Sequence, residues 1–286
     1  MTYQKIAVNG KKQIIDVFLN PLDDLRARKI LENYPKPIYP STSDIWIYLV
    51  QNFEWDAILD VGANYGELAA QAFVYRKSAN TPIYIFEPSI SLRAPLRLTF
   101  GEKKNVFLYF NGLGDKNEYA LFRNFYKNTG KSNFNSVDQN MEKFDVHREK
   151  IELRTLDSYN FNLSKILIKL DIEGFEPRAL MGARRTIERT PEVVILMEAN
   201  QIQWESLEWL NSFFDLFVLS RIKGKLVKVD FERLDQKNRK EFLSLYWHDV
   251  VLVKSQNPLT YTKRFISIHS QIIKILNWLS IKLKRD

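Results

Sequence analysis

The chain has 286 residues, 45% hydrophobic and 27% charged, a balance that fits a folded α/β-sized domain and excludes a disordered chain. Its 42 Lys and Arg against 34 Asp and Glu leave a net charge of +8, which suits an anionic neighbour such as nucleic acid, a membrane surface or an acidic glycan, and equally suits plain solubility. There are no cysteines, so disulfides, thiolate zinc sites and a cysteine nucleophile are all excluded.

The first residues, MTYQKIAVNGKKQIIDV, lack the apolar run of a secretory signal, and no stretch reaches the roughly 18 consecutive apolar residues of a membrane span. A cytoplasmic location is the expectation. Residues 1–50 read as a small cap: KIAVNG and KQIIDVFL alternate around a Gly turn as a hairpin would. A helical stretch, a Pro-rich turn (YPKPIY) and a second helix follow, the last with Ser43 or Asp44 as its N-cap.

Residues 51–255 change character. Short apolar, β-branched runs (AILDVG, PIYIFEP, NVFLYFNGLG, ILIKLDIEG, EVVILMEAN) alternate with helical patterns (ELAAQAFVY, SLRAPLRLTF, PRALMGARRTIER). This alternation predicts βαβ units, and right-handed crossovers then give a doubly wound, Rossmann-like and mostly parallel sheet with helices on both faces. The later runs LFVLSR and YWHDVVLVK complete the sheet, with an antiparallel edge. Residues 256–286 place Phe265, Ile268, Ile272, Ile275, Leu276, Leu279 and Leu283 at helical spacing, with Lys274, Lys282, Lys284 and Arg285 on the polar side. That basic amphipathic C-terminal helix suits packing on its own domain, peripheral contact with an anionic membrane, or dimerisation.

The first candidate site is the turn after the strand AILDV. Asp60, Gly62, Asn64 and Gly66 form Asp-x-Gly-x-x-x-Gly ahead of a helix. Glycines here let backbone approach a ligand and present N–H groups at a helix start. The phosphate-binding spacings G-x-x-x-x-G-K-[ST] and G-x-G-x-x-G are both absent. At the end of the next strand stands Glu87, where a carboxylate can accept hydrogen bonds from both hydroxyls of a ribose. Together these features describe a nucleoside site. A nicotinamide cofactor would fit the acid but normally brings denser glycines. The combination resembles the class I methyltransferases, and that resemblance implies that Asp60, Gly62, Asn64 and Gly66 surround the sulfonium amino acid of S-adenosylmethionine while Glu87 takes its ribose.

The second candidate site follows the strand ILIKL. Asp171 and Glu173 stand at its carboxyl end, where open α/β sheets bind ligands, and Glu198 closes the strand VVILME in the matching position with Asn200 beyond. KLDIEGFEPRALMGA, read with DVGANYGE and FEPS, resembles the FkbM-type methyltransferases over roughly residues 56 to 200. The resemblance implies O-methylation of hydroxyls on sugars, polyketides and similar metabolites. The loop Thr129 to Ser136 resembles the family's Ser-rich loop, with Asn and Lys where serines are common.

Methyl transfer to a hydroxyl needs alignment, exclusion of water and a base to receive the proton. Asp171 and Glu173 are the candidate bases, with Glu198 third, and crowding carboxylates raises at least one pKa toward a useful value. The same acids suit Mg²⁺ or Ca²⁺ as an alternative, and Asp171 or Glu176 also suits the role of helix cap. His147, His248 and His269 share no metal-ligand spacing. A nucleic-acid methyltransferase is disfavoured, because carboxylates repel phosphates and no polar-Pro-Pro-aromatic motif follows the fourth strand; nucleic acid is therefore not an expected partner. A silent module that binds S-adenosylmethionine without turnover is the alternative outside enzymes.

Overall fold

Residues 3–10, 13–22, 24–125, 129, 146–198, 208–220, 225–230 and 246–256 are described by a computed structural model, and the chain divides into two units, Met1–Thr190 and Pro191–Asp286. The expected C-terminal helix, loop residues 130–136, Asn200 and His269 lie outside the described residues.

The first unit opens with the expected hairpin. β1 (Gln4–Asn9) and β2 (Ile14–Leu19) pair antiparallel, and alternation buries Ile15, Val17 and Leu19. Helix α1 (Leu25–Asn33) starts at Asp24, whose side chain accepts from the Arg26 N–H at 2.8 Å. Helix α2 (Pro40–Asn52) begins ahead of Ser43, with Pro40 in its first turn, where the missing N–H costs no helical bond. Trp46 is fully buried in α2 and donates its indole N–H to the Leu68 carbonyl at 2.8 Å, fastening the cap to the glycine-turn helix.

The parallel core follows the predicted runs: β3 (Ala57–Val61), α3 (Glu67–Tyr75), β4 (Ile83–Phe86), α4 (Arg93–Phe100) and β5 (Val106–Tyr109). Beyond β5 the chain builds a separate three-stranded sheet from β6 (Gly112–Leu113), β7 (Glu118–Phe125) and β8 (Val146–Arg154), with β8 in the middle. It returns to the parallel sheet as β9 (Lys165–Leu170), followed by α5 (Glu176–Met181) and α6 (Arg184–Arg189). The parallel order is β9-β3-β4-β5. On β4 and β5, Tyr84 stacks on Phe107 and Phe86 on Tyr109, and Tyr159 and Phe161 from the segment before β9 pack edge-on against them.

Register decides what meets at the top of the sheet. Val61 lies opposite Phe86 on one side and Leu170 on the other. The next residues of the three strands, Gly62, Glu87 and Asp171, therefore emerge side by side at their carboxyl ends.

The second unit contains β10 (Glu192–Glu198), α7 (Glu208–Asn211), β11 (Asp215–Ser220), β12 (Leu226–Val229) and β13 (Tyr246–Lys254). Strand β13 runs antiparallel to both β10 and β11, and β12 pairs antiparallel with β11. The chain is thus a mixed α/β protein, as its alternating pattern predicts.

Candidate active site

The turn after β3 holds Gly62, Asn64 and Gly66 at φ +77°, +53° and +80°. A Cβ on Gly62 would sit 1.9 Å from the Asp171 carbonyl oxygen and 2.8 Å from the Ile172 Cγ2. On Gly66 it would sit 2.5 Å from a ring carbon of Phe100. The atoms that would crowd a side chain at these glycines belong to the protein's own β9 exit and α4. Asn64 tolerates the left-handed region because its Oδ1 accepts from the Tyr65 N–H at 3.0 Å.

Glu87 locks this turn. Its Oε2 accepts from the Asn64 N–H at 2.8 Å and its Oε1 from the Ser89 N–H at 3.0 Å, which leaves a lone pair on each oxygen. Burial pushes its carboxyl up to about 7, against the lowering effect of those two bonds.

A buried network reaches in from the cap. Asp24 Oδ2 accepts from the Tyr65 hydroxyl at 2.8 Å and the Thr129 hydroxyl at 2.6 Å, and Asn64 Nδ2 donates to Thr129 at 3.1 Å. Burial, then the Asp24 carboxylate, push the Tyr65 phenol up, so it stays a donor. Sequence reasoning did not single out Asp24, whose partners Tyr65 and Thr129 lie far away along the chain.

Lys169 is the group that sequence reasoning missed. It lies on β9 directly opposite Asp60 on β3, and both are buried within the sheet. Its ammonium donates to the Gly62 carbonyl at 2.9 Å and stands 3.3 Å from Asp171 Oδ2 and 3.6 Å from Asp60 Oδ1. Burial works against the ammonium, but Asp171 and Asp60 outweigh it, so the Lys169 pKa is raised and the charge is kept. For Asp60, burial raises the carboxyl pKa and Lys169 opposes it, while neither oxygen has a hydrogen-bond partner in normal geometry among the described residues. The available signal was a lysine in an otherwise apolar strand, KILIKL.

The Asp171 side chain is 44% exposed at the carboxyl end of β9. The loop then turns through Glu173 and Gly174 at φ +54° and +91°. Glu176, the first residue of α5, is buried and accepts from the Ile172 N–H at 2.9 Å, which braces the loop ahead of the helix; burial pushes its carboxyl up to about 7. The N-cap is Phe175 and no side chain caps α5, so neither Asp171 nor Glu176 takes that role. Gly182 of the Leu180-Met181-Gly182-Ala183 motif lies where a Cβ would come 1.9 Å from the Gly114 carbonyl. Glu198 ends β10 of the second unit, in register with Asp249. His147 and His248 lie in β8 and β13. Among the described residues no three His, Cys, Asp or Glu are grouped as a metal site requires.

Glu87 and Glu176 have a thermodynamic consequence. Each holds its proton to about 7 when folded, against an ordinary value of 4.5. Between these values the folded chain binds more protons than the unfolded one, so stability is highest at the acidic end and falls as pH rises toward 7. The ligand-free protein is expected to melt at a lower temperature at pH 7.5 than at pH 5.5, and Glu176→Gln should flatten that slope. An identical slope in Glu176→Gln would remove this residue from the account.

The strand-end acids, the left-handed turn and the unpaired Asp60 oxygens fit S-adenosylmethionine, which carries both an amino group and a ribose. The match to a family model makes the chain an S-adenosylmethionine-dependent methyltransferase. The Methyltransferase FkbM domain matches residues 60–236, more than half of the chain, and the protein belongs to that family. Among solved structures, the O-methyltransferase from Bacillus cereus in complex with S-adenosylhomocysteine is 11% identical, over 81% of this chain and 88% of that one, with a TM-score of 0.44. A methyltransferase of Podospora anserina with S-adenosylhomocysteine bound is 11% identical over 80% and 85%, TM-score 0.42. An rRNA methylase from Streptococcus thermophilus is 13% identical over 78% and 98%, TM-score 0.38. No curated protein matches the chain in sequence.

Proposed function

We propose that the enzyme methylates a hydroxyl of a sugar, glycan or related small metabolite, with Asp171 as the base. The observation that carries this reading is the ion triplet: Asp171, open to solvent, shares Lys169 with Asp60, the acid of the glycine turn. A proton acceptor and the donor turn are thereby adjacent. Asp60, Gly62, Asn64, Gly66 and Glu87 would hold the donor, with Asp60 toward its amino group and Glu87 toward its ribose hydroxyls. Bound there, S-adenosylmethionine supplies a methyl group on a positive sulfonium that departs as a neutral thioether. Asp171 receives the proton of the acceptor hydroxyl, and Glu173 orients that hydroxyl from the same loop; Glu198 is the reserve candidate.

The enzyme is proposed to work in the cytoplasm without a nucleic-acid partner, with residues 1–50 as a cap, 51–255 as the catalytic domain and 256–286 as a basic amphipathic helix available for peripheral membrane contact. Among the described residues no helix is long and apolar enough to cross a membrane.

Calorimetric titration with S-adenosylmethionine and S-adenosylhomocysteine, on wild type and Glu87→Ala, tests the donor site. Wild type should bind, and the mutant should lose about 10- to 100-fold in affinity, the cost of hydrogen bonds to a charged group. Because Glu87 must ionise to accept from two hydroxyls, wild-type affinity should fall with one proton as pH drops below about 7. A folded wild type that binds neither compound would sink the donor assignment. Binding without turnover on any sugar hydroxyl would favour the silent module.

A further inference from the structure

We propose that Lys169 is a positioning residue shared by the donor and acceptor halves of the site, its ammonium, anchored on the Gly62 carbonyl, supplying the counter-charge on which Asp60 and Asp171 are both set. The proposal rests on the donor placement above. The ammonium donates to the Gly62 carbonyl at 2.9 Å and lies at ion-pair distance from two carboxylates, 3.3 Å from Asp171 and 3.6 Å from Asp60.

The charges facing Lys169 show why it matters. From β3 comes Asp60, from the β9 exit Asp171, from the start of α3 Glu67, from the end of β4 Glu87, and from α1 Arg26. Glu67 has its own partner, since Arg26 lies 3.1 Å away. Glu87 is held by two backbone N–H groups. Asp60 has Lys169 as the cation within 4 Å among the described residues, where neither of its oxygens makes a hydrogen bond of normal geometry.

A buried ion pair gains little over an apolar pair of the same volume, so packing alone does not account for one here. Two carboxylates sharing one ammonium leave a negative charge beside the glycine turn, and a cationic donor completes the set. Lys169 thus does two things: it opposes the burial that raises the Asp60 pKa, favouring the charged form that meets the donor, and it holds Asp171 against the same turn by way of Gly62.

Loss of the ammonium should therefore be felt first as a change in proton linkage of donor binding, which a purely structural lysine would not alter. S-adenosylmethionine affinity is measured by calorimetry from pH 6 to 9 on wild type, Lys169→Met and Asp60→Asn/Lys169→Met, with melting temperatures alongside. Lys169→Met should bind at least about tenfold more weakly at pH 7, because a carboxylate losing a nearby cation shifts by about one to three pH units. Its loss at low pH should involve two protons where wild type shows one, with recovery as pH rises. Asp60→Asn/Lys169→Met, with no buried charge left unpaired, should melt above Lys169→Met, bind weakly at every pH and return to the one-proton slope. If Lys169→Met does not fold, the double variant decides: weakened binding with one proton supports the proposal, and wild-type affinity overturns it. A folded Lys169→Met with wild-type affinity and slope overturns the proposal alone, whereas a wild type that fails to bind S-adenosylmethionine overturns the donor reading and the proposal with it.

Discussion

Gly62→Ala should cost the first unit about 3–5 kcal/mol of stability, a sum of left-handed backbone strain and an unrelieved clash. The glycine sits at φ +77°, and its added Cβ would meet the Asp171 carbonyl oxygen at 1.9 Å. That oxygen is backbone, so no rotamer change can move it away. It is also tied down, because the Asp171 N–H donates to the Val61 carbonyl at 3.1 Å as part of the β3–β9 ladder. Relief would require parting β9 from β3. Urea denaturation measures the loss, and Gly182→Ala is the control. There the Cβ would meet the Gly114 carbonyl at the same 1.9 Å but without a left-handed φ, so about 1–3 kcal/mol is expected. Equal losses in the two variants would show that backbone strain contributes nothing at Gly62. Donor affinity should also drop in Gly62→Ala, since the Gly62 carbonyl anchors Lys169.

Asp171→Asn should lower turnover by about 10²- to 10⁴-fold, the range over which a positioned general base acts. The amide keeps the shape of the side chain and cannot take a proton from a hydroxyl. Donor affinity should fall by much less than turnover, because Lys169 retains both Asp60 and the Gly62 carbonyl and only the net negative charge beside the turn is lost, whereas the base acts in the transition state. The measurement is kcat on the acceptor found by screening, with the donor Kd beside it. Glu173→Gln should lose less, about tenfold, as an orienting group does. Full turnover in Asp171→Asn would move the base to Glu173 or Glu198.

Much of this molecule was written in local pattern. The runs AILDV, IYIF and KILIKL, ending at Gly62, Glu87 and Asp171, mark three strands, because burial on both faces of a parallel strand favours a near-continuous apolar segment, here broken inside only by Asp60 and Lys169. The same words, DVGANYGE, FEPS and KLDIEGFEP, carried the family, whose domain matches residues 60–236. The hairpin of the cap was equally visible in its alternation.

What the tertiary structure alone decided is pairing. The three-stranded sheet of β6, β7 and β8 joins segments whose partners depend on long-range register, not on their own period. Asp24 finds Tyr65 and Thr129 across 41 and 105 residues, and a helix cap reads the same whether or not its other oxygen is engaged elsewhere. The glycines of the turn also lie tight against Asp171, Ile172 and Phe100, packing that the local pattern does not reveal. Lys169 is the sharpest case. Sequence shows a lysine within an apolar strand, and only the parallel register of β9 on β3 sets it opposite Asp60 and beneath Asp171, because a charge is tolerated in a sheet core only where folding brings its counter-charge.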